Sequence, residues 1–162
     1  MMTSDGLYLL FYGWITASVA TTTPVIPTHD NGTPPVGTYL AIQIDDNWDS
    51  VGRPAYMSSD PAEIEPVLRD YKVDLQIWET NGDGSLLLLI LEALDTYEAQ
   101  ELFAASGVSV LTHEGPTAMP RLQESQWKHE NMMTLHLAVA RGDSGNANYI
   151  EHVEFVNNLG GV

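Results

Sequence analysis

Histidines and acids supply most of the reactive side chains of this sequence, which contains no cysteine. None of the five histidines belongs to a His-Glu-x-x-His pair, the spacing that binds zinc from one helix. His129 and His136 are an odd number of residues apart on one alternating segment, so they face opposite sides of a strand and cannot share a metal there. His136 and His152 come from neighbouring predicted strands, where a histidine hydrogen-bonded within the sheet is the preferred interpretation over a metal ligand.

The acidic residues show no spacing that indicates a catalytic pair or a metal site. Asp45, Asp46 and Asp49 cluster, but they lack the glycine and the terminal glutamate of a calcium-binding loop. The glycine-rich turn at residues 81–84 lacks the lysine and the Ser/Thr of a phosphate-binding loop, and no Gly-x-Ser-x-Gly elbow occurs. The sequence therefore predicts no catalytic residue, no bound metal, no cofactor and no enzymatic activity.

The charge balance is strongly acidic, because 6 Lys and Arg stand against 22 Asp and Glu and give a formal net charge of -16. Binding of nucleic acid through its phosphates requires clustered cations. The cations of this sequence are instead scattered singly, as Arg53, Arg69, Lys72, Arg121, Lys128 and Arg141. A conventional DNA-binding surface is not expected. The plain interpretation is an acidic, solvated surface that favours solubility.

Size and composition predict one domain. A chain of 162 residues, 44% of them apolar, is long enough to bury a single core. The absence of cysteine suits assembly in a reducing cytoplasm. The longest apolar run, Leu86–Leu91, is far shorter than the roughly 20 residues that a membrane-spanning helix needs, so no membrane segment is predicted.

The first helix is predicted over residues 5–19 from the spacing of its apolar side chains. Ser4 or Asp5 is its expected N-terminal cap. Gly13 lies in its interior, where glycine costs about 1 kcal/mol relative to alanine. We expect that the missing side chain at this position permits close packing against a sheet.

Two further helices are predicted in the middle of the chain. Ser85–Leu94 is apolar on nearly every side, which is typical of a helix that is buried or covered by a neighbour. Asp95-Thr96-Tyr97-Glu98 resembles a capping box that opens a second helix, ending near residue 105 before a Ser-Gly stop. Two consecutive helices would then follow one strand.

Strands are predicted wherever apolar and polar residues alternate. Such segments are 39–44, 69–80, 108–111, a long run from Gln126 to about residue 140, and 148–155. The last two are predicted to form a hairpin or an adjacent strand pair, while Pro116 and Pro120 are expected to interrupt the chain before them. The apolar stripe of the long run consists of Met133, Leu135, Leu137 and Val139.

The order of these elements predicts an α+β fold. Two-residue periodicity dominates, and the connections are too short for repeated βαβ crossovers. We expect a mostly antiparallel mixed sheet, with the N-terminal helix and the central helix pair packed on one face. Residues 21–37 and 45–65 are predicted long loops, and 157–162 a flexible tail.

Three phrases, taken in order, carry a family resemblance: Pro34–Ile42, Gly107–Val110 and Tyr149–Phe155. In order and spacing they resemble the neck or tail terminator proteins of tailed bacteriophages, and the resemblance spans most of the chain. It implies a structural virion protein, assembled in the host cytoplasm, that closes into a homohexameric ring at the head-proximal end of the tail tube. Such a ring stops tube growth, joins the tail to the neck and its connector, and lets DNA pass during genome ejection. The alternative function is a monomeric acidic adaptor or binding module without enzymatic activity.

Under this resemblance the 45–65 loop is a candidate contact arm. Trp48, Arg53 and Tyr56 are its predicted interface residues, since aromatic side chains and arginine are the usual anchors of protein interfaces. The alternative is that Trp48 folds back against its own sheet.

A ring that passes DNA without holding it benefits from repelling phosphate. We therefore expect its lumen to be lined by carboxylates at strand ends, where side chains project past the sheet edge. The predicted lumen residues are Asp45, Asp46, Asp49, Glu79 and Asp83. The alternative is that these acids face solvent outside the ring.

Overall fold

The computed structural model of the protein describes residues 2–28, 32–45, 47–51, 69–123 and 125–141. The helices within these ranges are α1 (Ser4–Ser18), α2 (Ser85–Leu94) and α3 (Tyr97–Ala105). The strands are β1 (Val25–Pro27), β2 (Tyr39–Ile44), β3 (Asp49–Val51), β4 (Arg69–Thr80), β5 (Val108–Ala118), β6 (Arg121–Gln123), β7 (Gln126–Lys128) and β8 (Glu130–Arg141). The predicted α+β class is confirmed.

Six of these strands form one mixed sheet. Its order is β1-β2-β4-β8-β5, and β3 lies beside the first residues of β4. Every neighbouring pair is antiparallel except β1 and β2, which run parallel. The predicted, mostly antiparallel mixed sheet is therefore confirmed. Strands β6 and β7 form a separate two-stranded sheet.

The centre of the sheet is the pairing of β4 with β8. The two strands run antiparallel over their full lengths, from Arg69 opposite Arg141 to Thr80 opposite Glu130. Because side chains alternate between faces, one face of this pair is continuously apolar. The buried residues there are Val73, Leu75, Ile77, Met133, Leu135, Leu137 and Val139. The predicted apolar stripe of the long strand is confirmed.

The three helices share one core with this apolar face. Buried side chains from α1, α2 and α3 belong to the same cluster as those of β2, β4, β5 and β8. Phe11 of α1 stacks on Phe103 of α3 with ring centroids 4.8 Å apart, and Trp14 meets the same ring edge-on at 5.1 Å. These aromatic contacts join the N-terminal helix to the central helix pair.

The neighbours of β8 differ from the prediction. Its two edges are occupied by β4 and β5. Residues 148–155, the other half of the predicted hairpin or adjacent strand pair, lie outside the described residues. Local alternation identifies a strand but not its partner, because pairing between segments distant in sequence leaves no local signal.

Strand β5 is longer than predicted, since it continues from Val108 to Ala118 through Pro116. Its pairing with β8 shifts register between Val110 and Thr112 and again between Glu114 and Thr117. Pro116 lies within the second irregularity, where a missing backbone N–H removes no ladder hydrogen bond. The expected break at this proline is therefore a bulge in a continuous strand.

Two helix caps lie one residue away from their predicted positions. Thr3 caps α1, and its Oγ1 accepts a hydrogen bond from the Gly6 amide at 3.1 Å. Thr96 caps α3 and accepts from the Ala99 amide at 3.3 Å. The predicted capping box beginning at Asp95 is thus only half formed, because the third helical position is alanine. Ser, Thr and Asp are all good N-terminal caps, so where several of them are adjacent the sequence does not decide which one begins the helix.

Short strands lie in both predicted loops, namely β1 in 21–37 and β3 in 45–65. Each strand is three residues long, which is too short to show the alternation that identifies a strand in a sequence. The long alternating run is also divided: β7 ends at Lys128, and β8 begins at Glu130. Between them, the carbonyl of His129 accepts a hydrogen bond from the Asn81 amide.

A buried carboxylate fixes the turn between β4 and α2. Glu79 is 1% exposed, and its two oxygens accept hydrogen bonds from the amides of Gly84 at 3.2 Å and Leu87 at 3.4 Å. These amides belong to the start of α2, where backbone donors lack partners within the helix. Gly82 lies against the same carboxylate: a Cβ at this position would stand 1.9 Å from Oε1 of Glu79.

We predict that Gly82→Ala destabilises the protein by roughly 1–3 kcal/mol, because the new methyl group displaces a carboxylate that has no free space and two amides to satisfy. Gly13→Ala is the matched control. A Cβ at Gly13 has no neighbour within 4 Å, so the expected close packing at this position is wrong. Alanine should instead stabilise α1 by about 0.5–1 kcal/mol. Thermal and urea unfolding followed by circular dichroism measure both changes. Equal stability of the Gly82→Ala and wild-type proteins would contradict the prediction.

Candidate assembly surfaces

The face of the sheet opposite the helices is polar and partly open. Here Asp74 of β4 lies opposite His136 of β8, Gln76 opposite Thr134, and Trp78 opposite Met132. Asp74, Gln76, Trp78, Met132 and His136 are all intermediate in exposure. The described helices pack on the other face.

His136 occupies the middle of this open face between two acids. Its Nδ1 is 2.6 Å from Oδ1 of Asp74, and its Nε2 is 3.4 Å from Oε1 of Glu114 on β5. The hydrogen bond to Asp74 raises the pKa of His136 above its ordinary value, partial burial opposes that change, and the charges of Asp74 and Glu114 add to it. The predicted hydrogen-bonded sheet histidine is confirmed. His152 lies outside the described residues.

The predicted lumen acids do not form one patch. Asp45 follows the end of β2, whereas Asp83 follows the end of β4, and these strands are antiparallel. Five residues of paired strand separate the two ends, which is about 17 Å. Asp49, opposite Lys72, belongs to the Asp45 end. Antiparallel pairing therefore divides the acids between opposite ends of the sheet.

The surroundings of these acids also differ. Asp45, Asp49 and Asp83 are exposed, and Asp46 lies outside the described residues. Oδ1 of Asp83 accepts from the Ser85 amide at 3.0 Å, and hydrogen bonding with Ser85 holds the pKa of Asp83 below its ordinary value. Glu79 is the exception, since its buried carboxylate is occupied by the start of α2. Its predicted place on a lumen wall is therefore wrong, because it has no exposed surface there.

Trp48 contacts its own chain. Its Nε1 donates to Oγ of Ser4 at 3.1 Å, and its ring meets Tyr71 edge-on with centroids 6.2 Å apart. It also packs against the hydrophobic core. These contacts support the alternative in which Trp48 folds back against its own sheet. The other two predicted interface residues, Arg53 and Tyr56, lie outside the described residues.

Among the described strands, the most exposed large apolar side chains lie on the hairpin of β6 and β7, which was not predicted. We call residues 121–123 and 125–128 the hairpin arm. Leu122 lies opposite Trp127, and these side chains are 59% and 67% exposed. Arg121 lies opposite Lys128 at the base of the arm. The turn passes through Ser125 with a φ of 66° and has no Asn-Gly or Asp-Gly sequence, so the usual hairpin signal is missing.

A second surface lies between the helix pair and β5. This helix–strand cleft has a volume of about 650 Å³. Its apolar lining includes Leu91, Leu94, Phe103, Val110 and Leu111, and its acidic lining Glu92 and Asp95. The segment containing α2 and α3 has no Lys or Arg. The lining also includes the polar residues Gln100, Ser109, Thr112 and His113, so the cleft is a mixed depression in which apolar side chains lie beside negative charge.

The described residues show no group of three or more His, Cys, Asp or Glu placed to hold a metal ion. Among their helices, none has the length and apolar character needed to span a membrane. The described surfaces can bind a partner through hydrogen bonds, charge and apolar contact.

Comparison with protein families gives a match over nearly the whole chain. Residues 5–162 match the model of a family described as phage neck terminator protein. No curated protein matches the chain. A solved structure shares 20% sequence identity over 86% of this chain and 96% of its own, with a TM-score of 0.36, a likeness too weak to carry an argument.

We predict that the stability of the protein falls as pH rises through the titration of His136. Its pKa in the folded state lies above its ordinary value of 6.5, so the protonated form stabilises the fold. That contribution is fully present below the unfolded pKa and is lost above the folded one. Asp74→Asn should lower the His136 pKa and weaken this pH dependence, whereas Asp49→Asn should leave both unchanged. NMR titration of the imidazole and thermal unfolding against pH test this, and a His136 pKa unaffected by Asp74→Asn would contradict it.

Proposed function

The chain belongs to the phage neck terminator family, and we propose that it acts as a homohexameric ring at the head-proximal end of the tail tube. As a member of that family it is a structural neck protein and a component of the virion. In the proposed role the ring stops growth of the tube, joins the tail to the neck, and leaves a channel for DNA. The observation that carries the proposal is the family match, which extends over residues 5–162.

The described structure supports a scaffold role. The central strand pair and the helices share one core, and apolar side chains remain exposed elsewhere on the surface, including Leu122, Trp127 and Leu111. Contiguous exposed apolar residues commonly mark protein contacts, and Leu122 and Trp127 are direct cross-strand neighbours. We infer that the protein acts by binding other copies and neighbouring neck, connector and tail-tube proteins, and that it has no enzymatic activity.

The net charge supports passage of DNA without retention. Each subunit carries -16, so a ring of six carries -96 before screening. The exposed acids Asp45, Asp49 and Asp83 remain candidates for the lumen wall, and their carboxylates would repel phosphate. Of these, Asp45 and Asp49 lie at the same end of the sheet, so they form the more coherent group.

We predict that virion necks contain six copies and that purified protein assembles more readily as salt is raised. Salt shortens the range of repulsion between acidic subunits to about 8–10 Å. Native mass spectrometry across a salt series, with electron microscopy of necks, measures both. A different copy number in the neck would contradict the ring, and a monomer at every salt concentration with no ring in the particle would favour the monomeric adaptor.

We predict that Asp45→Lys combined with Asp49→Lys slows DNA ejection and steepens its salt dependence, because each new phosphate contact adds close to one unit to the salt slope. Asp5→Lys with Glu98→Lys, two exposed helical acids, changes the net charge equally and serves as the control. Ejection is followed by dye binding to released DNA, using particles that assemble normally. Identical kinetics for the two variants would remove these residues from the proposed lumen.

A further inference from the structure

The hairpin arm has the composition of a binding element, although Trp127 also lines a depression of its own chain beside Gly82 and Leu86. Leu122 and Trp127 are well over half exposed although they form a cross-strand apolar pair. A two-stranded hairpin is at best marginally stable alone in water. Exposed Trp and Arg are the residue types that most often dominate binding energy. The arm therefore has both a reason to be covered and the side chains to bind what covers it.

The arm is also an exception to the charge of the chain, because residues 121–128 of the sequence carry Arg121 and Lys128 against the single acid Glu124. Among the side chains that the structure describes, the cations are Lys72, Arg121 and Lys128, and two of these three form the cross-strand pair at the base of the arm. Between Lys72 and Arg121 the sequence has no Lys or Arg. A partner that complements the arm needs an apolar depression with acids beside it.

The helix–strand cleft of the same chain has that chemistry. Leu91, Leu94 and Val110 are half-buried, and Leu111 is 53% exposed, so the cleft presents apolar surface that the subunit itself does not cover. Glu92 and Asp95 lie on the cleft and are exposed. At about 650 Å³ the cleft lies within the size range of sites that enclose small ligands. A leucine and a tryptophan side chain are appropriate occupants.

The arm cannot reach the cleft of its own subunit. The arm begins beyond Ala118, the last residue of β5, whereas the cleft lies along Val108–His113 at the other end of that strand. From Ala118 back to Val110 is about 26 Å of strand, while Leu122 is four residues from Ala118 and extends at most about 13 Å. The arm of one subunit can therefore fill only the cleft of another.

We propose that the hairpin arm of one copy docks in the helix–strand cleft of the next copy, with Leu122 and Trp127 on its apolar lining and Arg121 and Lys128 beside Glu92 and Asp95. Two different surfaces meet in this contact, so it is heterologous, and repetition produces a closed ring or an open helix rather than a two-fold dimer. The inference deepens the proposed function and rests on it, because it assigns the contact between subunits of the ring.

Cysteine cross-linking tests the contact directly, since the chain has no cysteine of its own. Leu122→Cys combined with Leu111→Cys places one thiol on the arm and one in the cleft, both at exposed positions. Oxidation of isolated necks should give a ladder of multimers up to six on a denaturing gel. Leu122→Cys with Leu9→Cys is the control, because Leu9 on α1 is 63% exposed but lies outside the cleft. No ladder from the first pair, or equal ladders from both, would overturn the proposal.

Charge reversal provides an independent readout. Arg121→Glu with Lys128→Glu should reduce incorporation into necks about tenfold, and adding Glu92→Lys with Asp95→Lys in the same chain should restore it. Circular dichroism establishes that each variant folds. If all variants fold but the quadruple variant is not incorporated into necks better than the double variant, the proposed pairing is contradicted.

The outcomes separate this inference from the proposed function. Necks with six copies whose ring is unaffected by the arm substitutions would overturn the arm contact and leave the ring intact. Necks without a six-copy ring would overturn the proposed function itself. Cross-linking of Leu122→Cys to a different neck or tube protein would show that another partner covers the arm, which also overturns docking on a second copy.

Discussion

The antiparallel pairing of β4 with β8 is the interaction on which the rest of the structure depends. Twelve residues of each strand pair without a register shift, which fixes every side chain of both strands to one face or the other. On one side this alternation produces the apolar surface that the helices cover. On the other it places Asp74 against His136 and Trp78 against Met132. A slip of one residue would exchange the two faces, so core and open surface are determined by the same register.

Much of the fold could be predicted because its main elements are long and regular. Strand β4 and helix α2 were predicted with their observed bounds, and the apolar stripe ending at Val139 identified the buried face of β8. The partners of β8 could not be predicted, since its pairing with β4, where Asp74 and His136 are 62 residues apart, and with β5 depends on tertiary packing. The hairpin arm was missed because its turn lacks glycine and asparagine, and β1 and β3 because three residues contain too little pattern.

The candidate sites were harder to predict than the fold for a physical reason. Acids at strand ends look equivalent in the sequence, but Asp83 is exposed while Glu79, four residues earlier, is enclosed beneath a helix. Likewise, Trp48 has the composition of an interface anchor yet contacts Ser4 and Tyr71 of its own subunit. Residue type indicates what a side chain can do. Its surroundings, which depend on distant parts of the chain, decide whether it is available to do it.

The buried carboxylate of Glu79 has a consequence for the surface above it. Its bonds to the amides of Gly84 and Leu87 tie the first turn of α2 to the end of the central strand pair. Helix α2 contributes Leu91 and Glu92 to the helix–strand cleft, so the same anchor holds one wall of that cleft in place. A preformed wall spares an incoming group the entropic penalty of ordering it. A single buried acid thus fixes the first turn of the helix whose last turns line the cleft.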